Sequence, residues 1–301
     1  MPASRRPPKP SSSASKSARS ASKAKPTAAP RGQRGIQSIE VGGQLLRALA
    51  HHGRPMALKD LAREAGMTPA KAHPYLVSFG HIGLVEQDKS SGRYALGPLA
   101  LQLGLISLQQ ADPVRIAAPL LPELAARTGH TMALVVWGSR GPTIVLREAS
   151  PAAVHVDMRH GTVFSIARTA SGRLFAAYLD AAIVRPVYDA ERAASARART
   201  RNGVAALPAL ATWHAFGHEL AEVRRHGLGR SEGAVVAGVS ALSAPVFDHR
   251  AAMVLAITAI GPSAAFDARW SGPLASVLRD VARDVSARLG HRPLVQRDSG
   301  H

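Results

Sequence analysis

The stretch Asp60–Gly97 reads DLAREAGMTPAKAHPYLVSFGHIGLVEQDKSSGRYALG, and it decides the first half of the fold. Gly66 suits the left-handed stop of a short helix containing Leu58, Leu61, Ala62 and Ala65. Thr68-Pro69 then supplies an N-cap followed by a proline at the first helical position, where a missing N–H costs nothing. From there Ala72, Tyr75, Leu76 and Phe79 recur at i, i+3, i+4 and i+7, the stripe of a helix packed on one side. Ala70, Lys71, His73, Pro74, Val77 and Ser78 are left facing outward. LVEQDKSSGRYALG reads as two short strands around a Ser-Ser-Gly turn.

Upstream, order is expected from Gly35. Ile36, Ile39, Leu45, Leu46 and Leu49 fit one face of a helix that fades at His51-His52-Gly53. Gly42-Gly43 lies inside that pattern and forms no phosphate loop. Three helices and a hairpin within residues 35–97 give the order of a winged helix-turn-helix, whose second helix of the pair, here 68–79, enters the major groove. The expected DNA contacts are Thr68, Pro69, Ala70, Lys71, His73 and Ser78, with Lys89 and Arg93 of the wing on phosphates. Pro74 removes a backbone bond to Ala70 and costs up to ~3 kcal/mol in a straight helix, so a kink or tight turn is expected there.

The formal net charge is +18. Nine of the 38 basic residues (Arg5, Arg6, Lys9, Lys16, Arg19, Lys23, Lys25, Arg31, Arg34) precede residue 35, with no acid among them. This Ser/Ala/Pro/Lys tail, 1–34, lacks the apolar content for a core and is expected to be disordered; it is a solvated extension or a sequence-independent phosphate binder. There is no cysteine, which excludes disulfides and thiolate metal sites and fits a reducing cytoplasm. No apolar run suggests a membrane span or a secretory leader.

Downstream of the wing, 98–112 reads as a linker helix with Leu99, Leu103, Ile106 and Leu108 at helical spacing, apolar enough to require burial against a partner subunit. Residues 113–290 alternate helices (PVRIAAPLLPELAARTG, ARTASGRLFAAYL, one near 208–226, and WSGPLASVLRDVARDVSARLG) with strand-like runs (TMALVVW, PTIVLREA, VHVDM, VSALSAPVF, AMVLAITAIGP). A long polar stretch separates the second helix from the third, and 291–301 is a tail. That order suggests an α+β domain with an antiparallel sheet flanked by helices.

The run 60–97 resembles, in spacing and residue type, the helix-turn-helix and wing of the IclR family of bacterial regulators, and the order of elements over roughly 36–290 is similar to that family as a whole. The resemblance implies a GAF-like effector-binding domain, a homodimer or homotetramer, double-stranded DNA as partner, and a small organic acid or aromatic metabolite as effector. Pro74 departs from the basic residue usual in the recognition helix. The family's pocket falls on Thr169, Ala170, Ser171 and Gly172, on Ser231 in GLGRSEG where relatives carry an acid, and on Ala241 in place of a cysteine, with Thr258 and Ile260 beside it. The residues themselves leave two readings of 169–172: a helix start whose free N–H groups receive a carboxylate, with Arg168 or Arg173 adding charge, or small residues that merely cap a helix.

Evidence for other classes is thin. His214, His218 and Glu222 stand at i, i+4 and i+8 of one expected helix, without the HExxH pattern of a metal helix. His155 and His160 have no interpretable spacing, and no G-x-S-x-G elbow is present. No catalytic residue, metal or cofactor is expected. The competing functions are a hydrolase-like or metal-dependent enzyme, and a ligand-free architectural DNA binder.

Overall fold

The computed structural model describes residues 35–150, 158–202 and 208–292, the side chains of 198–202 excepted. The basic tail, the VHVDM run up to Asp157, His155 and the last nine residues lie outside the described residues. The chain divides into two units, Met1–Gln102 and Leu103–His301.

In the first unit, α1 (Gln37–His52), α2 (Leu58–Glu64) and α3 (Pro69–His81) are followed by β1 (Val85–Gln87) and β2 (Tyr94–Leu96). The two strands are antiparallel, with Val85 opposite Leu96, and Met56 bridges to Tyr94. Leu45, Leu49, Leu61, Ala62, Ala72, Leu76, Val85 and Tyr94 make one core. The stripe expected on α3 is inward, but the face expected on α1 needs correction: Ile36 and Ile39 are exposed, and the buried line is Gly42, Leu45, Ala48 and Leu49. The reason is Gly42. A Cβ there would stand 2.9 Å from the Tyr75 ring and 3.0 Å from Phe79, so a bare glycine lets α1 lie directly on α3. Of the kink or tight turn expected at Pro74, the turn is a second correction: α3 runs through Pro74 without interruption to His81.

Pro98–Gln110 forms α4, a helix with no buried residue; Leu101, Leu103 and Leu105 are 66%, 52% and 53% exposed.

The second unit is a five-stranded antiparallel sheet in the order β4-β3-β7-β6-β5, from β3 (Thr131–Gly138), β4 (Gly141–Glu148), β5 (Gly229–Glu232), β6 (Val239–Phe247) and β7 (Met253–Pro262). The expected helix 113–129 is in fact α5 (Pro113–Ala117), one 3-10 turn, and α6 (Leu121–Thr128). Pro119 and Pro122 withhold two N–H groups within one turn of each other, and the backbone takes a 3-10 turn there rather than a continuous α-helical ladder. The helices α7 (Ala170–Tyr178), α8 (Ala181–Asn202), α9 (Trp213–His226) and α10 (Pro273–Arg288) complete the unit. The polar stretch after Leu179 is therefore largely helix, docked through Val184 and Tyr188, both fully buried.

Alternation along the strands feeds two separate cores. Leu255, Ile257 and Ala259 of β7, with Leu242, Ala244 and Val246 of β6, pack toward Leu278 and Val285 of α10 and Leu121 and Leu124 of α6. Ala256 and Ile260 belong instead to the core with Leu174 and Phe175 of α7, Tyr188 of α8, and Phe216 and Leu220 of α9. The candidate ligand residues lie on this second side.

Candidate nucleic-acid interface and ligand cavity

All eight expected DNA contacts are exposed. Thr68 caps α3, its hydroxyl accepting from the Lys71 N–H at 3.3 Å, which fixes the direction in which Lys71 leaves the first turn. The Ser78 hydroxyl donates to the Pro74 carbonyl at 3.0 Å and so offers only lone pairs outward. In the wing turn, Asp88 organises the tip that carries Lys89. Its carboxylate accepts from the hydroxyl and N–H of Ser90, at 2.5 and 2.8 Å, and from the N–H of Ser91 at 2.7 Å. The Ser90 hydroxyl, then the Ser91 N–H, hold its pKa down at about 2. Gly92, at φ 67°, closes the turn where an L side chain would be strained. Arg93 reaches back to the Pro55 carbonyl at 3.4 Å, a weak tether within its own unit.

In the second unit a cavity of about 260 Å³ is lined by seven of the eight expected ligand residues: Thr169, Ala170, Ser171, Ser231, Ala241, Thr258 and Ile260. The eighth, Gly172, is a correction. It does not face the cavity; its missing side chain lets α7 pack on the Ser165 carbonyl and on Ile166, both of which a Cβ would strike. The remaining wall includes Met158, Val163, Phe164, Val235, Val236 and Val239, which the sequence did not single out.

The cavity contains no charged side chain among its lining residues. Both arginines expected to supply charge are held elsewhere. Arg168 donates to the Pro208 carbonyl. Arg173 donates to the carbonyls of Ala167 (2.8 Å) and Arg230 (2.9 Å) and pairs with Glu219 at 3.3 Å.

The hydroxyls are mostly committed as well. Thr169 donates to the Ser165 carbonyl at 2.7 Å while accepting from the Gly172 N–H at 2.9 Å, so it is a capping residue rather than a ligand donor. Ser231 donates to the Arg168 carbonyl at 2.7 Å. Ser165 donates to Glu191, whose other oxygen receives the Ile166 N–H at 2.7 Å. Glu191 thus pins the loop before α7 from α8. It was missed because it lies in the stretch read as merely polar, although Val184, Tyr188 and Glu191 at i, i+4 and i+7 carry the signal.

One cluster remains available. Ser171 and Thr258 are 2.9 Å apart, and the fully buried Ser243 lies 2.8 Å from Thr258 and 3.5 Å from Ser171. The two short contacts take two of the three hydroxyl protons, and the third is shared between the long Ser243–Ser171 contact and the cavity, so a ligand gains a donor here by opening that weakest contact. The first N–H groups of α7, on Ala170 and Ser171, have no intrahelical acceptor by the geometry of any helix start. The site therefore presents donors, no formal charge, and apolar walls.

Elsewhere on α9, His214 and His218 meet edge to face, while Glu222 pairs with Arg225 at 3.1 Å and His226 at 3.5 Å. Among the described residues no three such side chains converge on a metal position, and no helix is long and apolar enough to cross a membrane.

The family model described as the IclR helix-turn-helix domain matches residues 38–89, and that of the bacterial transcriptional regulator IclR C-terminal matches 106–287. The chain is 31% identical over 259 residues to the glycerol operon regulatory protein of Streptomyces griseus, and 29% identical to that of Streptomyces coelicolor. Each match covers 85% of this chain and 98% of the relative. Among solved structures it is similar to Pseudomonas aeruginosa HmgR, with a TM-score of 0.77 and 35% identity, over 85% of this chain and 99% of that one.

Proposed function

The chain belongs to the IclR family of transcriptional regulators and binds DNA through its N-terminal helix-turn-helix, and on that premise we propose that its cavity takes a small effector that alters operator affinity. It is a regulator and not an enzyme. The effector class is a small organic acid or an aromatic metabolite. The observation that carries this reading is the convergence, on one cavity, of the α7 start, the Ser171–Thr258 donor and a ring of apolar walls. A carboxylate at the α7 start meets unpaired N–H groups and the positive end of the helix dipole; the lining carries no acid, and the carboxylate behind it, Glu191, is engaged by the Ser165 hydroxyl and the Ile166 N–H.

The apolar, exposed α4 supports assembly into a homodimer or homotetramer in the cytoplasm, since a second copy laid along this helix removes its leucines from water. Paired subunits suit paired half-sites on DNA.

The test is a thermal-shift screen of organic acids on the wild type and on Ser171→Asp. Acids bound at the α7 start should shift the wild type and lose their effect in the variant. Hits that survive the added charge place the ligand elsewhere. A broad panel without hits leaves Thr169–Gly172 as a capped helix and nothing more.

A further inference from the structure

A helix that reads bases in the major groove does so through the side chains on its outermost line, and on α3 that line is apolar through Ala70, Pro74 and Val77 and turns polar only at its last residue, His81. At 100° per residue, Ala70, Pro74, Val77 and His81 lie opposite the inward Ala72, Tyr75, Leu76 and Phe79. All four outward residues are exposed, Val77 to 41%. Lys71 and Ser78 flank the line on one side and His73 on the other. Pro69–His81 contains no Arg, Asn, Gln, Asp or Glu. From this helix a bidentate contact to adenine, which needs Asn or Gln, is impossible, and the two-acceptor edge of guanine can be met only by Lys71 or by single N–H donors from His73 and His81. Ser78 has already directed its proton to the Pro74 carbonyl.

The major groove offers one apolar feature that distinguishes base pairs, the 5-methyl group of thymine. We propose that α3 reads its operator chiefly through thymine methyl groups packed against Ala70, the Pro74 ring and Val77, with Lys71 and His73 adding polar contacts at the margins. The proposal rests on α3 entering the major groove. Pro74 is well suited to such a contact, because its ring is a rigid apolar surface standing outward on an uninterrupted helix. The half-sites bound best then carry thymines at adjacent positions facing these three residues.

Deoxyuridine tests this directly, because it differs from thymidine by the methyl group alone. Sites are first selected from a randomised duplex pool with the full-length protein, and each thymine of a selected site is then replaced singly by deoxyuridine. Two or three positions per half-site should each weaken binding about fourfold, the change expected for one buried methyl. In Val77→Ser the sensitivity at the position facing Val77 should vanish, and 5-methylcytosine placed at a uracil-sensitive position should recover part of the loss. Selected sites indifferent to every uracil replacement would overturn the methyl readout alone. A pool that yields no preferred sequence would overturn base reading by α3 altogether. A Val77→Ser protein with unchanged DNA binding but altered oligomeric state would assign this face to protein contacts and overturn the proposal.

Discussion

Replacing Pro74 with alanine should make α3 more stable, and the size of the gain follows from its surroundings. Pro74 is exposed and inside an uninterrupted helix, so truncating its ring removes no core packing. Alanine restores an N–H that can donate to the Ala70 carbonyl and removes the ring's crowding of that carbonyl, together worth ~3 kcal/mol in a helix interior. Against this, the unfolded chain gains freedom when proline is lost, a cost of about 0.4–1 kcal/mol. The net is a gain of roughly 2 kcal/mol, close to a thirtyfold rise in protection. All three tryptophans (Trp137, Trp213 and Trp270) lie in the second unit, so their emission is blind to this change and serves as an internal control. Amide hydrogen exchange across 69–81 of the full-length protein is the assay. Protection should rise about thirtyfold in α3 while the tryptophan-detected urea midpoint stays put. Unchanged or reduced protection would show that the helix has already relaxed around the proline, and that the cost assigned to it is wrong.

Gly172→Ala should destabilise the second unit by ~1–3 kcal/mol, because the new methyl meets backbone atoms that cannot swing away; a tryptophan-detected melting temperature equal to wild type would refute the close approach. His130 is buried against Phe266, with Nδ1 unpaired, and burial depresses its pKa below 6.5. The unfolded chain then takes up a proton that the folded chain refuses, so this contribution is complete above about pH 6.5 and is lost as pH falls below it. Urea midpoints measured from pH 7.5 to 5 should fall less steeply in His130→Leu than in wild type, and identical slopes would dismiss the ring. Leu103→Glu combined with Ile106→Glu should yield monomers by light scattering; a wild type already monomeric at micromolar concentration would end the argument for pairing through α4.

The parts of this molecule that could be read from the chain are those governed by local periodicity and caps. The α3 stripe, the Thr68 cap and the wing turn each depend on neighbours a few residues away, and each is where the pattern places it. The errors share a different cause. Ile36 and Ile39 have the right spacing for a buried face, yet α1 turns Gly42 inward because α3 offers two aromatic rings there, a tertiary fact. α8 was invisible as a helix because its Ala and Arg residues are good helix formers but mark no strong apolar face beyond Val184 and Tyr188. Resemblance pointed to residues that line one cavity, but which groups can still donate to a ligand depends on contacts across 87 and 63 residues of chain, such as Ser171 with Thr258 and Ser231 with Arg168. The side-chain directions of Arg168 and Arg173 are equally beyond pattern.

The mouth of the cavity has a consequence for how such a protein changes over generations. Ser171, Thr258 and Ile260 are walls of the cavity and also members of the packed interior, so altering them disturbs the sheet and α7 together. Val235 and Val236 are walls too, yet they are 46% and 55% exposed on a short loop bounded by Gly233 and Gly238, both at positive φ and neither crowded. Substitutions at this loop reshape what enters while leaving folding nearly untouched. Lineages descended from this chain can therefore part company in the molecules they respond to long before their architecture diverges, and the record of that divergence will be written at positions 234–237 rather than in the sheet beneath.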